Sequence, residues 1–125
     1  MSGSRYLLDT NAIVALLQGE AQLVQLLQSA NWVGISVISQ IEFLVFSGLS
    51  EADRELFQQF LRRVELVGLG AGGNQLIQTI IKVRQQYRLK LPDAIIVAIA
   101  LQNSASLMTR DREFAKVGNL TVVGW

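Results

Sequence analysis

Short apolar runs alternate along the chain with segments whose apolar residues return at helical spacing. Tyr6–Leu8 is the first such run; it stops at Asp9 and predicts a strand. Asn11–Leu17 has helical character, and Gly19 closes it. Leu23, Leu26 and Leu27 mark one face of a second helix that reaches Ala30. Trp32–Val37, β-branched and aromatic, predicts a second strand. A third helix is predicted over Ile38–Phe46, with Ile41, Leu44 and Val45 at core spacing and Gly48 as its end.

Ser50 has the chemistry of a helix N-cap, and Asp53 makes a variant of the capping box with it. The helix they open is expected to run to about Arg63, with Leu56, Phe57, Phe60 and Leu61 as its apolar positions. Val64–Leu69 predicts a third strand, and Gly70–Gly73 a flexible turn. Leu76, Ile77, Ile80, Ile81 and Arg84 belong to a long amphipathic helix. Pro92 suits the first turn of the next helix, Pro92–Gln102. Ser106–Thr109 and Leu120–Val123 predict the last two strands, with a short helix between them. Strands alternating with helices imply one α/β domain, residues 1–125, with a mostly parallel sheet and helices on both faces.

Half of the 125 residues are hydrophobic, and the mean hydropathy is +0.34. Such richness implies a core on both sides of the sheet and apolar surface covered by a partner. Absent cysteine excludes disulfides, thiolate zinc sites and cysteine nucleophiles. Absent histidine removes the usual general base and imidazole metal ligands. Catalysis would have to run on carboxylates, hydroxyls, amines or a bound metal. The net charge of +1 argues neither for nor against nucleic acid. No signal peptide or membrane-spanning run is visible, so a cytoplasmic protein is expected.

Against this background four acids stand out: Asp9, Glu42, Asp93 and Asp111 each end or border a strongly hydrophobic segment. Carboxylates are rarely buried without compensation. In open parallel sheets, ligands bind beyond the carboxyl ends of the strands. Asp9 directly follows the first predicted strand, and Asp111 closely follows the fourth. Asp93 falls in the first turn of the helix leading into that fourth strand, where the helix dipole favours an anion. Glu42 lies among Ile41, Phe43 and Leu44, which directs it inward. Two unit charges about 4 Å apart repel by about 4 kcal/mol at an effective dielectric of about 20. Converging carboxylates therefore call for protons or a divalent cation. Oxygen-only donors favour Mg²⁺ or Mn²⁺, ions that bind through a few carboxylates plus substrate phosphate and serve phosphodiester hydrolysis. Thr10, Asn11 and Thr109 stand beside the acids and are candidates to orient them. Arg110, Arg112, Arg88 and Lys90 are candidates to contact a substrate backbone.

Each acid has an ordinary reading when taken singly. Asp9 suits a helix N-cap, Asp93 a first-turn acid and Asp111 a turn. The apolar surroundings of Glu42 are harder to explain that way. Phosphoryl-transfer domains on similar sheets fit less well. A haloacid-dehalogenase-like phosphatase needs a second aspartate where Asn11 stands, and a receiver domain needs an acid where this chain has Gly68–Gly70.

The four segments together resemble the motifs of the PIN domain, and in particular those of VapC-type toxins of bacterial type II toxin–antitoxin systems. They are Leu7-Leu8-Asp9-Thr10-Asn11, Ser36-Val37-Ile38-Ser39-Gln40-Ile41-Glu42-Phe43, Leu91-Pro92-Asp93-Ala94-Ile95-Ile96 and Leu107-Met108-Thr109-Arg110-Asp111-Arg112-Glu113-Phe114. The Asp93 segment is the most specific, and the match spans essentially the whole chain. The resemblance implies a three-layer α/β/α sandwich on a central sheet of about five strands. It implies a Mg²⁺- or Mn²⁺-dependent endoribonuclease acting on RNA. Asp9 and Asp93 would be the principal metal ligands, and Glu42 and Asp111 would complete the site, often through water. It further implies a homodimer and a small antitoxin protein that occludes the site. A housekeeping RNA-processing nuclease of this fold and a non-catalytic binding module are the alternatives.

Overall fold

The structure, a computed structural model, describes residues 4–125. The apolar runs become five strands: β1 (Arg5–Leu8), β2 (Trp32–Ser36), β3 (Glu65–Val67), β4 (Ser106–Met108) and β5 (Val122–Val123). Between them lie α1 (Thr10–Leu17), α2 (Ala21–Gln28), α3 (Val37–Leu44), α4 (Glu51–Leu61), α5 (Gly73–Tyr87) and α6 (Leu91–Gln102). All strand pairs are parallel, and the order is β3-β2-β1-β4-β5. The chain first builds outward from β1 to β3, then returns to the other side of β1 to add β4 and β5. The order therefore reverses between β1 and β4, and it is beyond the carboxyl ends of strands at such a reversal that open sheets bind ligands.

Register explains why both faces of the sheet are apolar. Leu7 pairs with Leu107, and Leu8 with Met108 and Ile35. Successive side chains point to opposite faces. Leu7 and Leu107 accordingly join the core under α5 and α6, whereas Leu8, Ile35 and Met108 join the one under α1 to α4. In α6 every residue from Ala94 to Ala100 is buried. A helix that is apolar all round must be covered all round; α6 lies against α5, α3 and β4.

Several elements differ from expectation. Helix α3 buries Ser39 and Phe43, not Ile41 and Val45, which are 55% and 72% exposed. Phe43 sets the phase, because its ring stacks on Phe57 at 4.4 Å between centroids. Ser39, four residues earlier, shares that face, and Ile41 lies roughly 200° around the helix from Phe43. In α5 the buried row is Leu76, Ile80 and Val83, so Ile77 and Ile81 face outward. Strands β3 and β5 are shorter than predicted and form the two sheet edges, where short strands limit unwanted pairing. The glycine run is a single 3-10 turn, Gly70–Gly72, leading straight into α5. Gly73 takes φ 56° and ψ −147°, a conformation open essentially only to glycine. Trp32 is half-buried against the core, with Arg5 stacked over its ring at 4.7 Å. Phe114 is buried, and Ser50 and Asp53 form the expected capping box.

Candidate active site

Asp9 ends β1 at this reversal and is only 5% exposed. Its backbone N–H donates to the Met108 carbonyl at 3.2 Å, which ties the end of β1 to the end of β4. Oδ1 accepts the Ala12 N–H at 2.9 Å and caps α1. Oδ2 accepts a hydrogen bond from the Thr109 hydroxyl. Asp9 thus caps α1 and also stands at the carboxyl end of β1, tied to the end of β4.

Thr109 is the junction of this end of the sheet. Its Oγ1 donates to Asp9 and accepts the Asp111 N–H at 3.0 Å, while its own N–H donates to the Val123 carbonyl at 3.0 Å. Asp111 then caps the 3-10 turn Arg112–Lys116 through a 2.9 Å bond from the Glu113 N–H to Oδ1. Buried Phe114 anchors that turn.

Glu42 does not point inward as its apolar neighbours suggest; it is exposed on α3 because Phe43 occupies the inner phase. The Thr10 hydroxyl donates to its Oε1 at 2.7 Å, so Glu42 is drawn toward the start of α1. Asp93 is half-buried in the first turn of α6. Among the described residues its carboxylate accepts no hydrogen bond, leaving its oxygens free for something else. Asn11 is exposed beside Thr10.

Arg110 behaves differently from the other neighbours of the acids. Its Nε donates to the Trp125 carbonyl at 3.0 Å, and its guanidinium lies 4.7 Å from the centre of the Trp125 ring. The pair borders a hollow lined by Ala15, Gln18 and Glu20. No local signal could have revealed this contact, because the two residues meet only through the pairing of β4 with β5.

Burial and neighbouring charges both act on the acids. Burial pushes the Asp9 carboxyl above its ordinary value; the bonds from Thr109 and Ala12 oppose this, and the Asp111 and Glu42 charges add to it. Asp93 is raised first by burial, then by Asp111 and Glu42, with the Lys90 ammonium pulling the other way and Glu113 adding a little. Glu42 and Asp111 therefore act on both Asp9 and Asp93. Among the described residues no three acidic side chains are close enough to chelate one ion together. Mg²⁺ does not require that, since it keeps several waters and uses one or two carboxylates. An all-oxygen donor set, mutual repulsion and an unbonded Asp93 fit a hydrated divalent cation.

The PIN domain family profile matches residues 6–120. This chain is a PIN domain. Among solved structures, the PIN domain is similar to a toxin–antitoxin complex from Klebsiella pneumoniae, with 28% identity, a TM-score of 0.76, and coverage of 94% of this chain and 95% of that one. It shares its fold with VapBC2 from Rickettsia felis bound to a promoter DNA fragment, at 22% identity, TM-score 0.80, and coverage of 97% and 98%. VapBC-1 from nontypeable Haemophilus influenzae has the same fold, at 21% identity, TM-score 0.77, and coverage of 97% and 98%. No curated protein sequence matches the chain.

The raised carboxyls fix the sign of a pH effect. With EDTA present, the folded PIN domain binds protons on Asp9 and Asp93 more readily than the unfolded chain does. Their contribution makes the protein more stable as pH falls from neutral through those raised values toward 3.8. The depressed Asp53 works the opposite way, and its contribution is lost only below 3.8. At neutral pH, Mg²⁺ or Mn²⁺ at about tenfold above its Kd should add about 1.4 kcal/mol, or roughly 5 °C in Tm. That gain should shrink on acidification as protons compete. Thermal melts with EDTA or metal across the range would show both trends; a Tm indifferent to metal at every pH would contradict the site.

Proposed function

We propose that this PIN domain is a Mg²⁺- or Mn²⁺-dependent endoribonuclease and the toxin of a toxin–antitoxin pair. The nuclease reading is supported by the placement of Asp9, Asp93 and Asp111 at the carboxyl end of the sheet, where its order reverses, with Glu42 drawn toward Asp9 by its bond from Thr10. Asp9 and Asp93 are the principal ligands, and Glu42 and Asp111 complete the site. A bound ion supplies activation of water and neutralisation of charge on the attacked phosphate.

The chain itself contributes orientation. Asp9 is held by donors on both oxygens, so its carboxylate cannot rotate freely. Thr10 fixes Glu42, and Thr109 fixes Asp9 and the backbone of Asp111 together. Supporting hydrogen bonds of this kind contribute roughly 10–100-fold to affinity or activity. Asn11 stands at the rim as a polar contact for the substrate. The terminal nitrogens of Arg110 make no hydrogen bond among the described residues, which leaves them for a backbone phosphate.

A surface feature favours the toxin over a housekeeping nuclease. An open cleft of about 450 Å³ runs beside Glu42, with Val14, Leu17, Phe43, Phe46 and Leu49 as its apolar walls. Thr10, Gln18 and Asp53 complete its lining. An antitoxin segment with apolar and basic side chains suits these walls and the acids at their end. Phe46 is largely exposed without such a partner. Ile77 and Ile81, exposed on α5, suit a second copy of the chain. No described helix is long and apolar enough to cross a membrane, and action on RNA in the cytoplasm is part of the same reading.

The test is incubation of a mixed RNA pool with purified, partner-free protein in Mn²⁺ or Mg²⁺, beside an EDTA control. Discrete internal cuts that EDTA abolishes are expected. Cutting that survives EDTA would remove the metal from the reading, and no cutting by folded protein at any metal concentration would favour a binding module.

A further inference from the structure

A three-residue connection, Arg88-Leu89-Lys90, joins α5 to α6 on the rim that carries Asp93. Strand β4 is parallel to β1, so α6, which leads into it, starts at the carboxyl end of the sheet. The connection therefore lies at the same end as Asp9 and Asp111. Leu89 is buried and pins it; Arg88 and Lys90 on either side are both exposed.

Both cations occupy positions where the backbone prefers other residues. Arg88 ends α5 with φ 54° and ψ 40°, the left-handed conformation that glycine or asparagine takes at low cost. Lys90 is the N-cap of α6, where Ser, Thr, Asp or Asn would bond the first turn, and no side-chain cap is formed. Its ammonium also opposes the positive end of the helix dipole. Two departures from local preference within three residues, both by cations, are what a functional constraint on the connection would leave. Neither cation forms an ion pair among the described residues, although acids stand nearby. Lys90 and Asp93 are three residues apart in the same first turn, and Lys90 is the cation whose field reaches Asp93.

We propose that Arg88 and Lys90 are substrate-binding residues that grip an RNA backbone phosphate next to the one that is cleaved. This rests on the nuclease reading of the acidic site and deepens it. The acids repel a polyanion, and a net charge of +1 offers little general attraction. A local pair of unpaired cations, fixed by Leu89 at the edge of the acids, brings the strand to them. Contacts to phosphate position the strand without reading its sequence.

The test compares Arg88→Gly, Lys90→Ser and the double variant with Lys82→Ala, which removes one charge from the side of α5. A labelled single-stranded RNA is titrated in EDTA over a range of salt, and cleavage is followed in Mn²⁺. The double variant should raise Kd and KM about tenfold and leave kcat within about twofold. It should lower the salt slope by about 0.7, the loss of one neutralised phosphate charge on a single strand. Its Tm should equal or exceed the wild-type value, since glycine relieves the left-handed residue and serine caps α6. Lys82→Ala should bind and cleave as wild type does. Wild-type cleavage together with Kd, KM and salt slope unchanged in the double variant would overturn the clamp and leave the nuclease standing. RNA binding that the double variant weakens, with no cleavage by any form, would uphold the clamp and overturn the nuclease. No RNA binding by the wild type at low salt would overturn the clamp outright.

Discussion

Asp93→Asn should abolish RNA cleavage and leave a protein at least as heat-stable as the wild type. The carboxylate of Asp93 accepts no protein hydrogen bond among the described residues, so asparagine breaks none there. Burial and the charges of Asp111 and Glu42 hold its carboxyl above the ordinary value, which means that at neutral pH its charge opposes the folded state. Asparagine keeps the volume and removes that charge. Loss of activity should be at least about 100-fold, because even groups that merely support a metal ligand are worth roughly 10–100-fold. Rate and Tm measured on one preparation settle the matter. A variant cutting at the wild-type rate would take Asp93 out of the site. Asp9→Asn should be equally inactive but gain less stability. Its Oδ1 still caps Ala12, yet its amide would face the Thr109 hydroxyl with a donor where an acceptor stood.

Thr109→Val should have the largest effect on stability near the site, a loss of about 3 kcal/mol, because it strands buried polar groups rather than exposed ones. Valine matches the shape of threonine and lacks the oxygen. Asp9 Oδ2 would lose its donor and the Asp111 N–H its acceptor. The Asp9 carboxyl, already raised, would rise further, since the bond from Thr109 is the main influence lowering it. The Tm deficit should therefore be greatest at neutral pH and narrow as the solution is acidified toward the raised value. Thr109→Ser, which keeps the hydroxyl, should recover most of the loss. A valine variant with unchanged Tm across pH would show that the hydroxyl does not hold this end of the sheet.

Much of the frame can be read from the chain. Apolar runs that stop at Asp9 and near Asp111 mark β1 and β4, and alternation with helices implies the parallel sheet. The side-chain period of two then dictates two cores, as the composition suggests. Helix phase is less legible. Ile41, Val45 and Phe43 are all apolar, and only the stacking of Phe43 on Phe57 decides which of them is buried. The orientation of Glu42 follows from that same choice, so its neighbours in sequence mislead about it. Thr109 is visible as a polar neighbour, but its bond to Asp9 depends on a register between distant strands. The pairing of Arg110 with Trp125 has no signature in either local segment.

The bond from Thr109 to Asp9 joins residues a hundred positions apart. Contacts of such long range are the slowest to form in a folding chain, because loop closure must precede them. Although β1 sits at the centre of the sheet, its neighbour β4 comes from near the far end of the sequence. During synthesis Asp9 is thus made a hundred residues before its hydroxyl partner and waits for it through the making of β2, β3 and six helices. A truncated or stalled chain carries Asp9 and Glu42 but cannot assemble this end of the sheet. Any chemistry at that end of the sheet begins only once β4 has paired with β1.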